Sequence, residues 1–461
     1  MRKIYFIILA LFISHQISSQ TLENDRLALV DLYNSTNGSS WINKTGWVVP
    51  GTVGQSPCGW FGITCTSGRV TSISLNSNNL DGSIPSSIGN LNNLISISLN
   101  RNKLTNSIPN SIGNLTNLTT LSLSVNQLTG NIPSTIGNLT KLTRLYLREN
   151  YLEGSIPNSI GNLTNLIQLY LFSNHLTGSI PTEIGNLTKL NQLYLFYNEL
   201  TGTIPNSIGN LTNMRWLYLN SNQLTGSIPS TIGNLNLMIE CGLDSNQITG
   251  NIPATIGNLT MLEYLNLSYN KLSGTFNLNG VPSAALVTIN NNKFLFDGIE
   301  SNTLLLDTYS PQSDIIITNT AGILSVNSGG TLANNTYKWY KDNLSTPTLV
   351  ATNLGNPEYL PTTTGAYYAE VTNSVATTLT LRSEKINYTV NLFKSIKTGN
   401  WEDASTWDLN RTPSEIDRVV IDDNHIITIT SNNARAKNIE YKNNSSLIYF
   451  DSASKLKLGI F

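Results

Sequence analysis

Aromatic and basic residues recur at intervals of 24 residues in the middle of the chain, and their types suit ligand recognition. One column holds Tyr146, Tyr170, Tyr194 and Tyr218, the next holds Phe172 and Phe196, and beside them stand Arg144, Arg148, Tyr197 and Trp216. An exposed aromatic patch with a polar rim is the usual mark of a recognition surface. Aromatic and arginine anchors serve peptide and sugar ligands alike. These ten residues are therefore the predicted ligand-binding site.

A second interpretation of the tyrosine column stays open. Four tyrosines stacked on neighbouring strands could form a ladder that stabilises the sheet by about 0.2–1 kcal/mol per pair and binds nothing. Structural need does not explain phenylalanines on the solvent side of a strand, and Phe172 and Phe196 therefore favour recognition.

Residues suited to catalysis or metal binding are scarce. The chain has 3 histidines, and one of them, His15, lies in a segment that we expect to be removed. The chain therefore has few histidines with which to form a zinc site or a histidine-based catalytic pair. No convergent pair of acids is identifiable either. We expect no catalysis, no metal site and no cofactor.

Cysteine usage points to an oxidising compartment. Cys58 and Cys65 are separated by seven positions, and an exported chain permits a disulfide between them. Two free thiols are the alternative. Cys241 occupies a position held elsewhere by Leu, Ile or Val, and it is expected to be a small buried hydrophobe.

Composition and charge exclude several classes of partner. Charged residues make up 12% of the chain and the net charge is -1, so there is no basic footprint for nucleic acid or anionic lipid. Arg2 and Lys3, followed by the apolar run from Ile4 to Ile13, indicate a secretory signal over residues 1–20. No later apolar run is long enough for a transmembrane helix. We therefore expect a secreted or surface-attached extracellular protein.

A repeat of 24 residues supplies the elements that carry the predicted site. The second residue of an Ile-Pro pair recurs at Pro85, Pro109, Pro133, Pro157, Pro181, Pro205, Pro229 and Pro253. Leu145 and Leu147 alternate with Tyr146, which predicts a short strand with both leucines inward and the tyrosine outward. Asparagines such as Asn150 recur where the chain leaves each strand, and their amides can satisfy turn backbone groups. Nine full units from Val70 to about Thr275, with a partial tenth near Val287, predict a solenoid over residues 69–296.

The segments that flank the solenoid have other patterns. Residues 21–68 read as an N-terminal cap that begins with a short amphipathic helix at Asp25 to Tyr33. Residues 311–392 resemble an immunoglobulin-like β-sandwich, with Trp339 in the place of the strand C tryptophan and Tyr367 in that of the corner tyrosine. Residues 395–461 hold the pair Trp401 and Trp407 and resemble a β-rich module of bacterial surface proteins; whether this module is complete stays open.

The repeat unit Gly-x-Ile-Pro-x-x-Ile-Gly-Asn-Leu and the pair Cys58-x-Trp60-x-Gly62-x-x-Cys65 resemble plant-type leucine-rich repeat ectodomains over residues 25–296. This resemblance implies an α/β-type solenoid with parallel strands on its concave face. Relatives include receptor kinases, receptor-like proteins and polygalacturonase-inhibiting proteins, which bind peptides, glycans or enzymes on that face. The implied function is recognition of a protein, peptide or carbohydrate on the concave face.

Two other functions stay open, and the oligomeric state is not predicted. One is inhibition of a secreted polysaccharide-degrading enzyme. The other is a structural role as an adhesin or an ice-binding surface protein. The ice-binding hypothesis rests on a regular row of hydroxyls at Thr116, Thr140, Thr164, Thr188 and Thr212.

Overall fold

The computed structural model describes residues 22–47, 55–320, 322–343, 346–390, 392–414, 417–422, 424–430, 434–436, 438–441, 447–450 and 457–458. The predicted signal segment, residues 1–20, lies outside the described residues. The chain divides into two compact units, residues 1–294 with 301–310 and residues 295–300 with 311–461.

The first unit is built on one long sheet of parallel strands. Its first strand, Ile63–Thr66, pairs antiparallel with the next, and every later pairing is parallel. The ten parallel strands are Arg69–Ser74, Ser96–Ser98, Thr120–Ser122, Arg144–Tyr146, Gln168–Tyr170, Gln192–Tyr194, Trp216–Tyr218, Glu240–Gly242, Tyr264–Asn266 and Leu286–Thr288. We call the turns of chain that contain them coils 1 to 10. The register joins equivalent residues of successive coils, as the prediction of ten strands requires.

The segments that return from one strand to the next are 3₁₀ helices, which corrects the expectation of an α/β-type solenoid. Eight of them have five residues each: Ser86–Asn90, Asn110–Asn114, Ser134–Asn138, Asn158–Asn162, Thr182–Asn186, Asn206–Asn210, Ser230–Asn234 and Ala254–Asn258. A proline precedes each one and fixes its first turn. Adjacent return segments lie so close that a Cβ on Gly137 would come 2.5 Å from the carbonyl oxygen of Ser159. A wider α-helix does not fit in so short and closely stacked a coil.

A second set of short strands, which the sequence analysis did not predict, follows the asparagine of several coils. These strands are Asp81–Ser83, Lys103–Thr105, Thr129–Asn131, Tyr151–Ser155, His175–Thr177, Thr249–Gly250 and Lys271–Leu272. They pair in parallel in groups of two or three. The coils that contain these strands therefore take part in both the long sheet and a short one.

The asparagine column lies inside the solenoid and binds backbone groups of adjacent coils. Asn150 is buried, and its Nδ2 donates to the carbonyl oxygens of Leu123 and Leu147 at 3.1 and 3.0 Å. Its Oδ1 accepts from the backbone N–H of Leu128 at 3.1 Å. The same pattern recurs at Asn126, Asn174, Asn198, Asn222, Asn246 and Asn270. One side chain therefore satisfies three or more backbone groups that no strand pairs.

The residue before this asparagine adopts a left-handed backbone in coil after coil, and in coil 3 that residue is Val125, with φ of 58°. A β-branched residue in this region is strained, whereas asparagine tolerates it. We expect Val125→Asn to raise the free energy of unfolding by about 0.5–1 kcal/mol, read from the thermal or urea midpoint. Val125→Ala is the control because it removes the same methyl groups without adding a residue that favours this conformation. A midpoint for the asparagine variant at or below that of the alanine variant would contradict this account.

The N-terminal cap consists of a helix over residues 22–35, a short 3₁₀ turn at Gly38–Ser40, and three packed tryptophans. Trp47 lies between Trp41 and Trp60, with ring centroids 4.8 Å from each. Cys58 and Cys65 form a disulfide. The carboxylate of Asp25 in the helix is fully buried and accepts two hydrogen bonds at 2.8 Å from the Arg69 guanidinium. These contacts cover the apolar end of the solenoid.

The second unit begins with the short helix Phe296–Ile299 and continues as antiparallel strands. One sheet contains Ile317–Thr320, Ile323–Val326 and Glu358–Tyr359. The other contains Thr348–Leu354, Asn335–Asp342, Gly365–Asn373, Thr380–Arg382 and Ile386–Tyr388. Trp339 is buried and pairs in register with Ala369, and the hydroxyl of Tyr367 donates to the carbonyl oxygen of Thr363 at 2.6 Å.

The last described strands of the second unit are parallel and stack as coils. The described strands form the sets Leu392–Lys394, Arg418–Ile421 and Asn438–Tyr441; Gly399–Asn400, Ile426–Ile429 and Leu447–Phe450; and Arg435–Ala436 and Lys457–Leu458. Trp401 and Trp407 are buried and pack edge to face at 5.1 Å between ring centroids. The paired tryptophans therefore belong to an apolar core.

Candidate functional site

The aromatic residues of coils 4 to 7 come together on the solvent side of the long sheet, which we call the strand face. Tyr146, Tyr170 and Tyr194 are half-buried and stack with ring centroids 4.7 and 4.6 Å apart and interplanar angles of 27° and 6°. Tyr218 meets Tyr194 edge to face at 5.3 Å. Parallel pairing in register places each ring directly beside its equivalent in the next coil.

The two phenylalanines form a second stack beside the tyrosines. Phe172 and Phe196 lie 4.2 Å apart at 13°, and the guanidinium of Arg148 lies 5.2 Å from the centre of the Phe172 ring. Phe172 also contacts Tyr170 and Tyr194 at 6.4 and 6.3 Å. We call the six stacked rings Tyr146, Tyr170, Phe172, Tyr194, Phe196 and Tyr218 the aromatic patch. This patch is one continuous surface that spans four coils.

The four other residues of the predicted site do not belong to the aromatic patch, although some of them contact it. Tyr197 contacts Phe196 at 5.5 Å, but it is 60% exposed in a left-handed turn. Arg148 forms an ion pair with Glu149 at 2.9 Å. Arg144 is exposed in the first outward column, and Trp216 stands in the same column beside Gln192. Within the described residues no ring contact joins Trp216 to the patch.

Two glutamines and a glutamate accept hydrogen bonds from tyrosine hydroxyls of the patch, a role that the sequence analysis did not identify. Tyr146 donates to Gln168, Tyr170 donates to Gln192, and Tyr218 donates to Glu240. Gln168 also donates to Gln192 at 2.9 Å. These partners share the column of Arg144 and Trp216 at the same 24-residue interval, which is the signal that could have revealed them.

The stacking determines which parts of the rings a ligand can reach. The faces of Tyr170 and Tyr194 cover each other, and the Tyr170 hydroxyl donates to Gln192. The ring of Tyr146 has an aromatic neighbour on one side, and on the other it lies beside the small side chain of Ser122. Here a concavity of about 440 Å³ opens, lined by Asn100, Arg101, Ser122, Ser124, Val125, Tyr146, Arg148, Tyr170, Phe172 and Tyr194. The accessible ring face of the tyrosine column is therefore at its coil 4 end.

Burial shifts the acid–base equilibria of the patch. Desolvation, with smaller contributions from the Tyr194 and Tyr146 phenols, raises the pKa of Tyr170 to about 12. Desolvation and the hydrogen bond to Glu240 raise the pKa of Tyr218 as well. Both phenols are consequently neutral hydrogen-bond donors at physiological pH. Desolvation also raises the pKa of the buried Cys241 thiol to about 12, so that this residue stays protonated.

These shifts predict a loss of stability in alkali. Below pH 10 the phenols are protonated in both the folded and the unfolded chain. Above pH 10 the unfolded chain releases the Tyr170 proton first, so the free energy of unfolding should fall until about pH 12. Thermal midpoints between pH 8 and pH 12 test this, and Tyr170→Phe should decrease the fall because it removes the titrating hydroxyl. An equal fall in both proteins would contradict the assignment to Tyr170.

The described residues contain no group of three or more His, Cys, Asp or Glu side chains that could hold a metal ion. No helix in the same part of the chain is long and apolar enough to cross a membrane.

Comparison with known families identifies the repeat. Residues 68–203 match the leucine-rich repeat region family, and residues 213–235 and 261–279 match the leucine rich repeat family. A probable inactive receptor kinase of Arabidopsis thaliana is 40% identical over 78 residues, which are 17% of this chain and 11% of that protein.

Two solved structures show the same architecture. The leucine-rich repeat ectodomain of the Arabidopsis thaliana receptor kinase GASSHO1/SCHENGEN3, in complex with CASPARIAN STRIP INTEGRITY FACTOR 2, is 32% identical with a TM-score of 0.54. The match covers 62% of this chain and 38% of that one. A plant ice-binding protein is 27% identical with a TM-score of 0.50, over 63% of this chain and 95% of that one. Residues 68–203, 213–235 and 261–279 are therefore leucine-rich repeats, and this part of the chain is similar to the ectodomain of a plant receptor kinase.

Proposed function

We propose that the protein is a binding protein that recognises a peptide or an extended protein segment on its strand face. The observation that carries the proposal is the aromatic patch, in which Phe172 and Phe196 remain half-exposed although nothing in the coil architecture requires an aromatic residue there. At the positions equivalent to these phenylalanines, coils 1 to 3 have Asn76, Asn100 and Ser124 and still form the same sheet. The similarity to a receptor ectodomain that was solved in complex with CASPARIAN STRIP INTEGRITY FACTOR 2 supports this proposal.

The stacking favours a peptide over a sugar chain. Sugars bind aromatic side chains through the flat ring faces, and in the centre of the patch these faces are covered by neighbouring rings. The patch offers ring edges with hydrogen-bonding groups beside them, including the amides of Gln168 and Gln192. Peptide side chains and backbone amides suit such a surface.

A binding screen with matched variants tests this function. The full chain and the double variant Phe172→Ala, Phe196→Ala are screened on the same peptide and glycan arrays. Tyr151→Ala, His175→Ala is the control because it removes another stacked ring pair, 6.1 Å apart, from the short-strand side of coils 4 and 5. We expect peptide binding that is lost at least tenfold in the phenylalanine variant only. Equal binding by all three proteins would refute a role for the patch, and glycan binding alone would assign it to carbohydrate.

An ice-binding function has one specific observation in its favour, the similarity to the plant ice-binding protein. The threonines of the predicted hydroxyl row are all exposed: Thr116, Thr140, Thr164, Thr188 and Thr212. Each directly follows the leucine that caps the C-terminal end of a 3₁₀ helix, so they repeat with the coils. Thermal hysteresis that falls in Thr140→Lys, Thr164→Lys but persists in the phenylalanine variant would establish this function instead.

We further propose export to the cell exterior and a spacer or attachment role for the second unit. The charged and apolar pattern of residues 1–20 and the Cys58–Cys65 disulfide support export. The buried Trp339 and the hydrogen bond from Tyr367 to Thr363 support an immunoglobulin-like sandwich in residues 311–392. N-terminal sequencing of the protein recovered from the producing cells tests cleavage near residue 20.

A further inference from the structure

The strand face has an uneven distribution of charge. Arg101, Arg144 and Arg148 lie in coils 2 to 4, where Glu149 is paired with Arg148. The outward strand residues of coils 5 to 7 carry no charge, and coil 8 adds Glu240 and Asp244. Arg215 and Glu263 precede the strands of coils 7 and 9 at the margin of this face. We call coils 2 to 4 the basic end and coil 8 the acidic end.

The basic end contains the concavity beside Tyr146, and its hydrogen-bonding groups fit an anion. Arg101 and Arg148 line it, and no acidic side chain does. Ser124 also lines it; this residue is 4% exposed, and its hydroxyl has no hydrogen-bond partner in the described structure. The amide oxygen of Asn100 already accepts from the Ser122 hydroxyl at 2.6 Å and from the Ser124 backbone N–H at 2.8 Å. The Ser124 hydroxyl is thus left to donate to a carboxylate in the concavity, where the guanidinium groups supply the opposite charge.

The acidic end has the opposite character. Asp244 is a half-buried carboxylate whose hydrogen bond from the Ser245 hydroxyl is long, at 3.4 Å. Desolvation raises its pKa, and the hydrogen bonds from its own backbone N–H and from the Ser245 hydroxyl oppose this shift only in part. Glu240, in the strand of the same coil, accepts from Tyr218 at the border of the aromatic patch. A cationic group of a ligand would place an opposite charge beside the Asp244 carboxylate.

The separation of the two ends defines the length of ligand that reaches both. Strands of one sheet lie about 4.8 Å apart, so coils 4 and 8 are separated by about 19 Å. An extended chain covers that distance in about six residues.

We propose that the strand face selects an extended peptide with a carboxylate side chain or terminus in the concavity beside Tyr146 and a basic residue about six positions away at Glu240 and Asp244. The residues between contact the aromatic patch. This inference rests on the proposed peptide-binding function, which it extends to the charge pattern and the orientation of the ligand.

Selection from a phage-displayed library of random 12-residue peptides tests the inference on the full chain. We expect enriched peptides to carry an acidic and a basic residue about six positions apart. Selection on Arg101→Gln, Arg148→Gln should lose the acidic preference alone, and selection on Glu240→Gln, Asp244→Asn should lose the basic preference alone. The best peptide should bind each of these variants about tenfold more weakly. Thermal midpoints of the variants show that they are folded.

Orientation is tested with the best peptide and a photo-crosslinking residue placed next to its acidic group. The crosslink should fall in residues 120–172, and a crosslinker next to the basic group should label residues 240–269. Enriched peptides without the charge separation, or crosslinks in the opposite order, would overturn the inference while leaving peptide binding intact. If no peptide depends on Phe172 and Phe196, the proposed function fails and the inference fails with it.

Discussion

Replacement of Asp25 by alanine should destabilise the first unit by about 2–3 kcal/mol, because it leaves the buried backbone N–H of Val70 without an acceptor and removes the charged partner of Arg69. The Asp25 carboxylate accepts from Nε and Nη2 of Arg69 at 2.8 Å and from the backbone N–H of Val70 at 3.0 Å. All three donors belong to Arg69 and Val70, the first two residues of the first parallel strand. Their loss would separate the N-terminal helix from the apolar end of the solenoid.

The control for this experiment is Asp31→Ala, which removes an exposed carboxylate from the same helix. Its effect on stability should stay within about 0.5 kcal/mol. Thermal or urea unfolding, followed by far-ultraviolet circular dichroism, measures both variants. Equal midpoints for Asp25→Ala and Asp31→Ala would show that the buried pair does not hold the cap.

The second large effect is expected at Asn150, in the middle of the solenoid. Asn150→Ala removes donors to the carbonyl oxygens of Leu123, Leu147 and Arg148 and the acceptor of the Leu128 N–H. The Leu128 N–H would be left without an acceptor, whereas the three carbonyl oxygens would each keep one donor, from Asn126, Asn174 and the Val125 N–H. A buried backbone group without a partner costs about 1–3 kcal/mol, so with the lost amide contacts we expect a loss of about 2–3 kcal/mol.

Asn165→Ala is the matched control, because Asn165 carries the same amide on an exposed turn of the next coil and donates once to the backbone, to Thr140. It should change the unfolding midpoint little. Proteolysis at low protease concentration provides a second measurement, since loss of the asparagine should open the chain between coils 3 and 5. Unchanged protection there, together with an unchanged midpoint, would contradict the structural role assigned to the column.

The sequence predicted the strands of the solenoid better than the segments between them. The alternation of Leu145, Tyr146 and Leu147 specifies one buried and one exposed side of a strand, and the 24-residue interval places each strand beside the next. The return segments were expected to fit an α/β-type solenoid, but they are 3₁₀ helices. Their backbone is determined by the close approach of adjacent coils, as at Gly137 and Ser159, and such a distance cannot be read from one repeat.

The candidate site shows the same limit. Column positions were sufficient to place Tyr146, Tyr170 and Tyr194 side by side. Whether their rings would offer faces or edges depends on side-chain rotamers, and these depend on Gln168 and Gln192, which the sequence analysis did not consider. Arg101 and Ser124 were missed as site residues because each is unremarkable in its own coil, and only the concavity brings them together.

The uniform register of the long sheet makes the solenoid a molecular ruler. Each strand pairs with its equivalents 24 residues away, so deletion of one complete unit between coils 4 and 8 would rejoin matching residues of the remaining coils. The distance between the two charged ends would then shorten by one strand spacing, about 4.8 Å, or between one and two residues of an extended ligand. Gain or loss of whole units would therefore change the length of ligand that the surface accepts in discrete steps, with every side chain in the two ends unchanged.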